Sequence, residues 1–120
     1  MFNIVPLTDR HMKDVGYKQV SATVRGCAMV DGEKTLGIAG LCLGDGHLVL
    51  AAKLSQELYS LMRAGRGRKE VLRGTRQVLE FANDRRLPVY SIAEPNIYGS
   101  ENMLRHLGFK HKRGPLWVRA

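Results

Sequence analysis

The sequence predicts an α+β domain in which helices flank a mixed β-sheet. Three apolar segments joined by short glycine-containing turns indicate an antiparallel meander. A long amphipathic segment between two further apolar segments indicates a βαβ crossover, because a connection of this length usually returns the chain parallel to the preceding strand. The length of 120 residues fits one domain, residues 1–120, since single cores usually comprise about 100–200 residues.

The first half of the chain begins with a short apolar strand that Pro6 closes, and Thr8 can cap a short helix after it. Clean alternation of apolar and polar residues then predicts a long strand with one buried face. Asp31-Gly32 and residues 44–46 supply the turns of the meander. Its three predicted strands are Gln19–Val30, Thr35–Leu43 and His47–Ala52.

Helical spacing replaces alternation in the second half of the chain. Ser55 can cap a short helix that ends near Gly65, and a longer helix with one apolar stripe begins after Gly67. Because that stripe must be buried, the longer helix should pack on the sheet. The remaining predicted elements are a strand at Leu87–Ala93, a helix at Tyr98–Leu107 and one or two strands broken at Gly114-Pro115.

Charge and hydrophobicity narrow the class of protein. Nineteen Lys and Arg against eleven Asp and Glu give a net charge of +8, which attracts nucleic acid, anionic membranes or phosphate-rich cofactors. The longest uncharged stretch, Thr35 to Gly44, is far shorter than the roughly 20 residues that span a bilayer. The N-terminus has neither the basic start nor the apolar run of a signal peptide. The sequence therefore predicts a cytoplasmic protein that does not bind membranes.

Common catalytic motifs are absent from the sequence. The four histidines are scattered without cysteine partners at ligand spacing, so no metal site is predicted. No GxSxG motif surrounds a serine, and residues 65–69 lack the spacing of a Walker A loop. If Val30 faces Thr35 across the first turn, Cys27 and Cys42 are four residues out of register, which predicts reduced thiols.

The start of the longer helix is a candidate anion site. Gly65 and Gly67 let the backbone approach a ligand, and the unpaired N–H groups and positive dipole end of the helix favour an anion there. Four cations would reinforce this preference: Arg63, Arg66, Arg68 and Lys69. The alternative is a solvated basic helix start with a glycine hinge, and a lone Gly-x-Gly pattern does not decide between them.

The order of elements and the ending Met103 to Phe109, with Leu107-Gly108-Phe109 at its end, resemble the GCN5-related N-acetyltransferase (GNAT) superfamily. The brevity and basic helix start are similar to the short, degenerate members encoded by tailed phages. The resemblance implies a sheet whose two parallel strands separate around acetyl-CoA. It implies that the pyrophosphate binds at residues 65–68, with Arg63 and Lys69 beside them. It also implies a pantetheine arm that pairs with Leu50, Ala51 and Ala52, and a thiol near Asn96 and Ser100.

The chain departs from the family pattern at positions that matter for catalysis. Met62 stands where the family's phosphate loop has Gln or Arg, and Leu104 stands where a Tyr usually protonates the leaving thiolate. The remaining candidate donors are Tyr98, His106 and Ser100. The resemblance thus implies acetyl transfer to an amine of a small molecule or protein. Its alternative is an inactive GNAT-fold structural or host-interaction protein of a phage.

The C-terminal segment carries no acidic residue after Glu101, and its cations could hold a phosphate, an acidic protein or nucleic acid, or form a solvated face. Nucleic acid is the weaker candidate, because the sequence shows no recognition helix and no pair of stacking aromatics. The expected partners are acetyl-CoA and an amine acceptor, with an acidic protein or a second copy of the chain as further candidates.

Overall fold

The computed structural model of the protein describes residues 2–16, 23–93 and 100–119. Strands and helices combine in an α+β arrangement, as predicted. In chain order the elements are β1 (Asn3–Pro6), α1 (Asp9–Asp14), β2 (Thr23–Asp31), β3 (Lys34–Leu43), β4 (Leu48–Leu54), α2 (Gln56–Arg63), α3 (Arg68–Asn83), β5 (Val89–Ile92), α4 (Ser100–His106), β6 (Lys110–Arg113) and β7 (Leu116–Arg119).

The strands form one seven-stranded sheet in the order β1-β2-β3-β4-β5-β7-β6. Strands β1 to β4 pair antiparallel, which confirms the predicted meander. The pairing of β4 with β5 is parallel, so α2 and α3 form the predicted crossover between them. The C-terminal hairpin then returns with β7 beside β5 and with β6 at the sheet edge.

The register of the first hairpin agrees with the sequence prediction. Val30 pairs with Thr35, and no disulfide joins Cys27 to Cys42. Cys27 faces Ala39, three positions from Cys42, because an irregularity beside Val30 shifts the register by one residue. The cysteines therefore lie out of register, as expected for reduced thiols.

Both faces of the central strands are buried. Ala28 and Met29 point to opposite faces of β2, and each is fully buried. Ala28 packs in a small core with Met12 of α1, whereas Met29 belongs to the main core with Val71 of α3. The prediction that β2 has only one buried face is therefore wrong, because α3 packs on the Cys27 side of the strand, which was expected to face solvent.

The predicted helix caps are present. The Thr8 hydroxyl accepts a hydrogen bond from the His11 amide at 3.5 Å, and the His11 ring nitrogen Nδ1 accepts one from the Thr8 amide at 3.1 Å. The Ser55 hydroxyl accepts from the Leu58 amide at 3.1 Å. Each cap satisfies one of the amides that a helix start leaves unpaired. These local signals thus define where α1 and α2 begin.

α3 is the longest described helix, with 16 residues, and its apolar stripe packs on the sheet as predicted. The contact is tight at Gly74, where a Cβ would lie 3.1 Å from Ile4 Cδ1 and 3.4 Å from Cys27 Sγ. Glycine at this position lets the helix backbone approach β1 and β2. Within the described ranges, no helix is long and apolar enough to cross a membrane.

Candidate functional site

The two parallel strands separate soon after they begin. The pairing of β4 with β5 ends at Val49, opposite Tyr90, whereas β4 continues beside β3 as far as Leu54. The Ser91 hydroxyl donates to the Leu50 carbonyl oxygen at 3.1 Å. The Leu50 carbonyl faces β5, and a longer β4–β5 ladder would use it to accept a backbone hydrogen bond from β5. The Ser91 hydroxyl takes the place of that backbone donor. The arrangement produces a gap between the strands and an open edge on β4.

Backbone direction along β4 decides which groups face this gap. The Leu48 amide donates to the Pro88 carbonyl on the β5 side. Since successive residues of a strand direct their backbone groups to opposite sides, Leu50 and Ala52 also face the gap, whereas Ala51 faces β3. The Leu50 carbonyl already has a partner. Of the three residues predicted to receive pantetheine, Ala52 is the one whose backbone groups face the gap without pairing to β5.

The turn between α2 and α3 uses two of the predicted phosphate-binding amides in its own structure. Gly65 N–H donates to the Met62 carbonyl at 3.0 Å, and Arg66 N–H donates to the Leu61 carbonyl at 2.9 Å. These two bonds form a Schellman motif, which requires a positive φ at Gly65, here +81°. The amides of Gly65 and Arg66 therefore end α2 and are not available to a phosphate.

The first turn of α3 retains the features of an anion site. Gly67 is the N-cap, with φ +82°, and no side chain caps the helix. The N–H groups of Arg68, Lys69 and Glu70 have no acceptor within the helix, because they belong to its first turn. Gly67 itself is buried against Phe2, which holds the helix start in place. Of the amides in the predicted anion site, those after Gly67 are therefore the ones that the turn leaves without a partner.

The surroundings of this helix start are strongly cationic. The side chains predicted to reinforce the site are all exposed around the turn: Arg63, Arg66, Arg68 and Lys69. A groove of about 510 Å³ follows the outer side of α3, over about 16 Å by helix geometry. Its lining residues are Lys69, Leu72, Arg73, Arg76, Gln77 and Glu80. None of its cations pairs with a carboxylate among the residues described, so the groove is positively charged.

The predicted catalytic residues are only partly located. Tyr98 and Asn96 lie outside the described residues. Ser100 and His106 are the first and last residues of α4, about 9 Å apart along its axis. His106 is exposed, and its carbonyl accepts a hydrogen bond from Arg76 Nη2 at 3.2 Å.

The position of the family's acidic Tyr is filled by an apolar side chain. Leu104 is 6% exposed and belongs to the main core. Its carbonyl accepts hydrogen bonds from the Leu107 and Phe109 amides. In the described part of the chain no three His, Cys, Asp or Glu side chains form a group that could hold a metal ion.

Sequence reasoning missed the two residues where the strands separate. Ser91 is buried in an apolar strand, and no local signal distinguishes it from a core serine. Tyr90 and Trp117 both lie in apolar strand patterns, which are typical of core aromatics, and Trp117 is 2% exposed. Tyr90 is instead half-buried, with its ring 5.4 Å from the His47 ring and 5.1 Å from Lys112 Nζ.

Comparison with solved structures identifies the fold. An acetyltransferase of the GNAT family from Staphylococcus aureus Mu50 superposes with a TM-score of 0.66 at 12% identity, and the match covers 99% of this chain and 98% of that one. The E. coli protein YhhK is described as an N-acetyltransferase and was solved bound to coenzyme A. It superposes with a TM-score of 0.53 at 19% identity, and the match covers 100% of this chain and 98% of that one.

A protein from Bordetella pertussis, described as a GNAT-family acetyltransferase, gives a TM-score of 0.55 at 21% identity. The match covers 80% of this chain and 65%, just under two thirds, of the Bordetella chain. No family model and no curated protein sequence gives a significant match. The strand order, the gap between β4 and β5 and these structural likenesses together show that the chain has the fold of the GNAT-family acetyltransferases.

Proposed function

We propose that the protein binds acetyl-CoA and transfers the acetyl group to an amine of a small molecule or a protein. The observation that carries the proposal is the open edge of β4 on a fold shared with acetyltransferases. The E. coli neighbour is bound to coenzyme A, which supports the same ligand here.

The first turn of α3 is the proposed site of the pyrophosphate. The unpaired N–H groups of Arg68, Lys69 and Glu70 and the positive end of the helix dipole attract an anion. The side chains of Arg68 and Lys69 add positive charge, and Arg63 and Arg66 extend it over the adjoining turn. The cationic groove on α3 then offers room for the nucleotide part of the coenzyme.

Ala52 is the proposed contact for the pantetheine arm and the thioester. Pantetheine contains amide groups that can pair with an open strand edge as a peptide does. An amide N–H facing the gap can also donate to the thioester oxygen, where negative charge develops during acyl transfer. Ser91 supports this role because its bond to Leu50 marks the point where β4 becomes open.

The reaction requires two proton movements. The amine nitrogen forms a bond to the carbonyl carbon, the carbon–sulfur bond breaks, the amine loses a proton to a base and the thiolate gains one. Tyr98, Ser100 and His106 remain the candidate proton donors, and Asn96 remains the candidate neighbour of the thiol.

A second candidate is coenzyme binding without turnover, and Leu104 favours it. A buried leucine cannot donate a proton, so the acid that the family pattern supplies at this position is missing. In this case the protein binds the coenzyme through the proposed phosphate site and the open β4 edge but does not catalyse acetyl transfer.

Thermal denaturation with millimolar acetyl-CoA tests the binding step. Ligand at 100 times its dissociation constant stabilises the folded state by about 2.7 kcal/mol, which raises the Tm by about 10 °C for a domain of this size. Arg68→Glu should remove most of the shift. Lys13→Glu on α1, an equal change of charge on the other side of the sheet, should leave it intact. No shift in the unaltered protein would refute both candidates.

Release of free thiol from acetyl-CoA over a panel of amines tests the chemical step. Thiol release that depends on an amine supports the acetyltransferase. A full thermal shift without thiol release on any amine supports the binding protein instead.

A further inference from the structure

One side of the sheet is left without a helix over its last three strands. α1 packs against the first three strands through Met12 and Ile38. The other helices contribute to the main core on the opposite side. In the part of the chain that the structure describes, β5, β7 and β6 therefore present one uncovered face.

The centre of this face is apolar. The register places Tyr90 beside Val118 and Ile92 beside Leu116, and cross-strand partners share a face. Ile92 is 54% exposed, although burial would be expected for a side chain of its size. We call these four residues the hairpin face.

The rim of the hairpin face is cationic. Lys110 pairs with Val118 and Arg113 pairs with Leu116, so both border the same surface. Lys112, the extra residue of the irregularity between them, reaches over the Tyr90 ring with Nζ 5.1 Å away. No described residue forms an ion pair with these three cations. Residues 61–120 contain thirteen of the nineteen Lys and Arg but five of the eleven Asp and Glu, so the surrounding half of the chain does not neutralise them.

The chemistry of this surface discriminates between possible occupants. A second copy of the chain in a two-fold dimer would bring the same cationic rims together, which like-charge repulsion opposes. Nucleic acid bound on a sheet uses exposed aromatic rings as stacking platforms. The only aromatic ring in the hairpin face is Tyr90, and Lys112 already lies over it. An apolar centre with a charged rim is instead the anatomy of a protein interface.

We propose that the hairpin face docks an acidic polypeptide segment whose apolar side chains bury Ile92 and whose carboxylates meet Lys110, Lys112 and Arg113. The irregularity at Lys112 disrupts the outer edge of β6, so a partner lies across the face and does not extend the sheet. The surface is about three strands wide, or roughly 15 Å, which suits a short segment.

Fluorescence anisotropy with a labelled peptide of alternating Glu and Leu tests the proposal on the whole protein without coenzyme. Binding should weaken at high salt because the rim contacts are electrostatic. Ile92→Ser should weaken it about five- to tenfold, from the apolar area no longer buried. Arg113→Glu should weaken it about tenfold and reduce the salt dependence.

Matched variants and probes supply the outcomes that would overturn the proposal. Leu43 is 52% exposed outside the hairpin face, so Leu43→Ser should not change binding, and Lys13→Glu should not either. No binding of the Glu–Leu peptide, or an equal effect of Leu43→Ser, overturns the docking surface. Equal binding of a Glu–Ser peptide overturns the apolar contact, and tighter binding of a uridine oligonucleotide indicates nucleic acid. A dimer that Ile92→Ser dissociates indicates a second copy.

Discussion

The start of α3 offers a sharp test of the structure, because two glycines in left-handed conformations there differ in their surroundings. Gly65 and Gly67 have φ of +81° and +82°. A Cβ at position 65 meets nothing within 4 Å, whereas a Cβ at position 67 would lie 2.8 Å from Phe2 Cε1. The substitutions Gly65→Ala and Gly67→Ala should therefore lose the same stability from the strained backbone. Only Gly67→Ala should lose more from a steric clash with Phe2.

The expected magnitudes follow from these two terms. An alanine in the left-handed region costs about 1–2 kcal/mol. Forcing a methyl group against the buried Phe2 ring adds about 1–3 kcal/mol. For a domain of this length each kcal/mol corresponds to about 4 °C in Tm. Gly65→Ala should lower the Tm by about 4–8 °C, and Gly67→Ala by about 8–20 °C.

Thermal denaturation followed by circular dichroism measures both shifts under the same conditions. Replacing Phe2 by Leu should remove most of the excess cost of Gly67→Ala, since the two residues are in contact and their effects are coupled. Equal shifts for the two alanine variants, or an excess that persists beside Leu at position 2, would refute the packing of Gly67 against Phe2.

Three further predictions concern the core and the separated strands. Ser91→Ala should lower the free energy of unfolding in urea by about 1–2 kcal/mol because the Leu50 carbonyl loses its donor, whereas Ser91→Thr should retain more of the stability; no loss in the alanine variant would contradict the bond. Burial raises the pKa of the Cys27 thiol to about 11 from 9.0, so the unfolded chain loses this proton first as the pH rises. Stability should then fall between pH 9 and 11 by up to about 3 kcal/mol, a component that Cys27→Ala abolishes. Gly74→Ala should change stability by less than about 1 kcal/mol, since better helix propensity offsets the tight approach to Ile4, whereas Gly74→Val should be clearly destabilising; calorimetry checks both.

Features of the fold that depend on local chemistry could be predicted from the sequence. Thr8 and Ser55 identify helix starts because a hydroxyl at the N-cap meets amides three residues later. The turn after Asp31 identifies the first hairpin, and the pairing of Val30 with Thr35 follows from it. The double burial of β2 could not be predicted in this way, because it depends on where α3 packs and not on the strand itself.

The candidate site was less predictable because a glycine between two helices is compatible with two different backbone structures. A glycine before a helix can open a phosphate loop, and a glycine after a helix can end it with a positive φ. Gly65 has the second role, because its turn ends α2. The predicted end of α2 near this residue was the signal that could have assigned it. Ser91 acts through a contact with Leu50 that is 41 residues away along the chain, so no local pattern contains it.

The place of β7 in the sheet has a consequence for biogenesis. The segment 116–119 is inserted between β5 and β6, and Trp117 fills the main core from it. A nascent chain that lacks these residues has two strands without their shared neighbour and a core without its largest side chain. The sheet therefore cannot close until this segment has left the ribosome, however early the other strands are made.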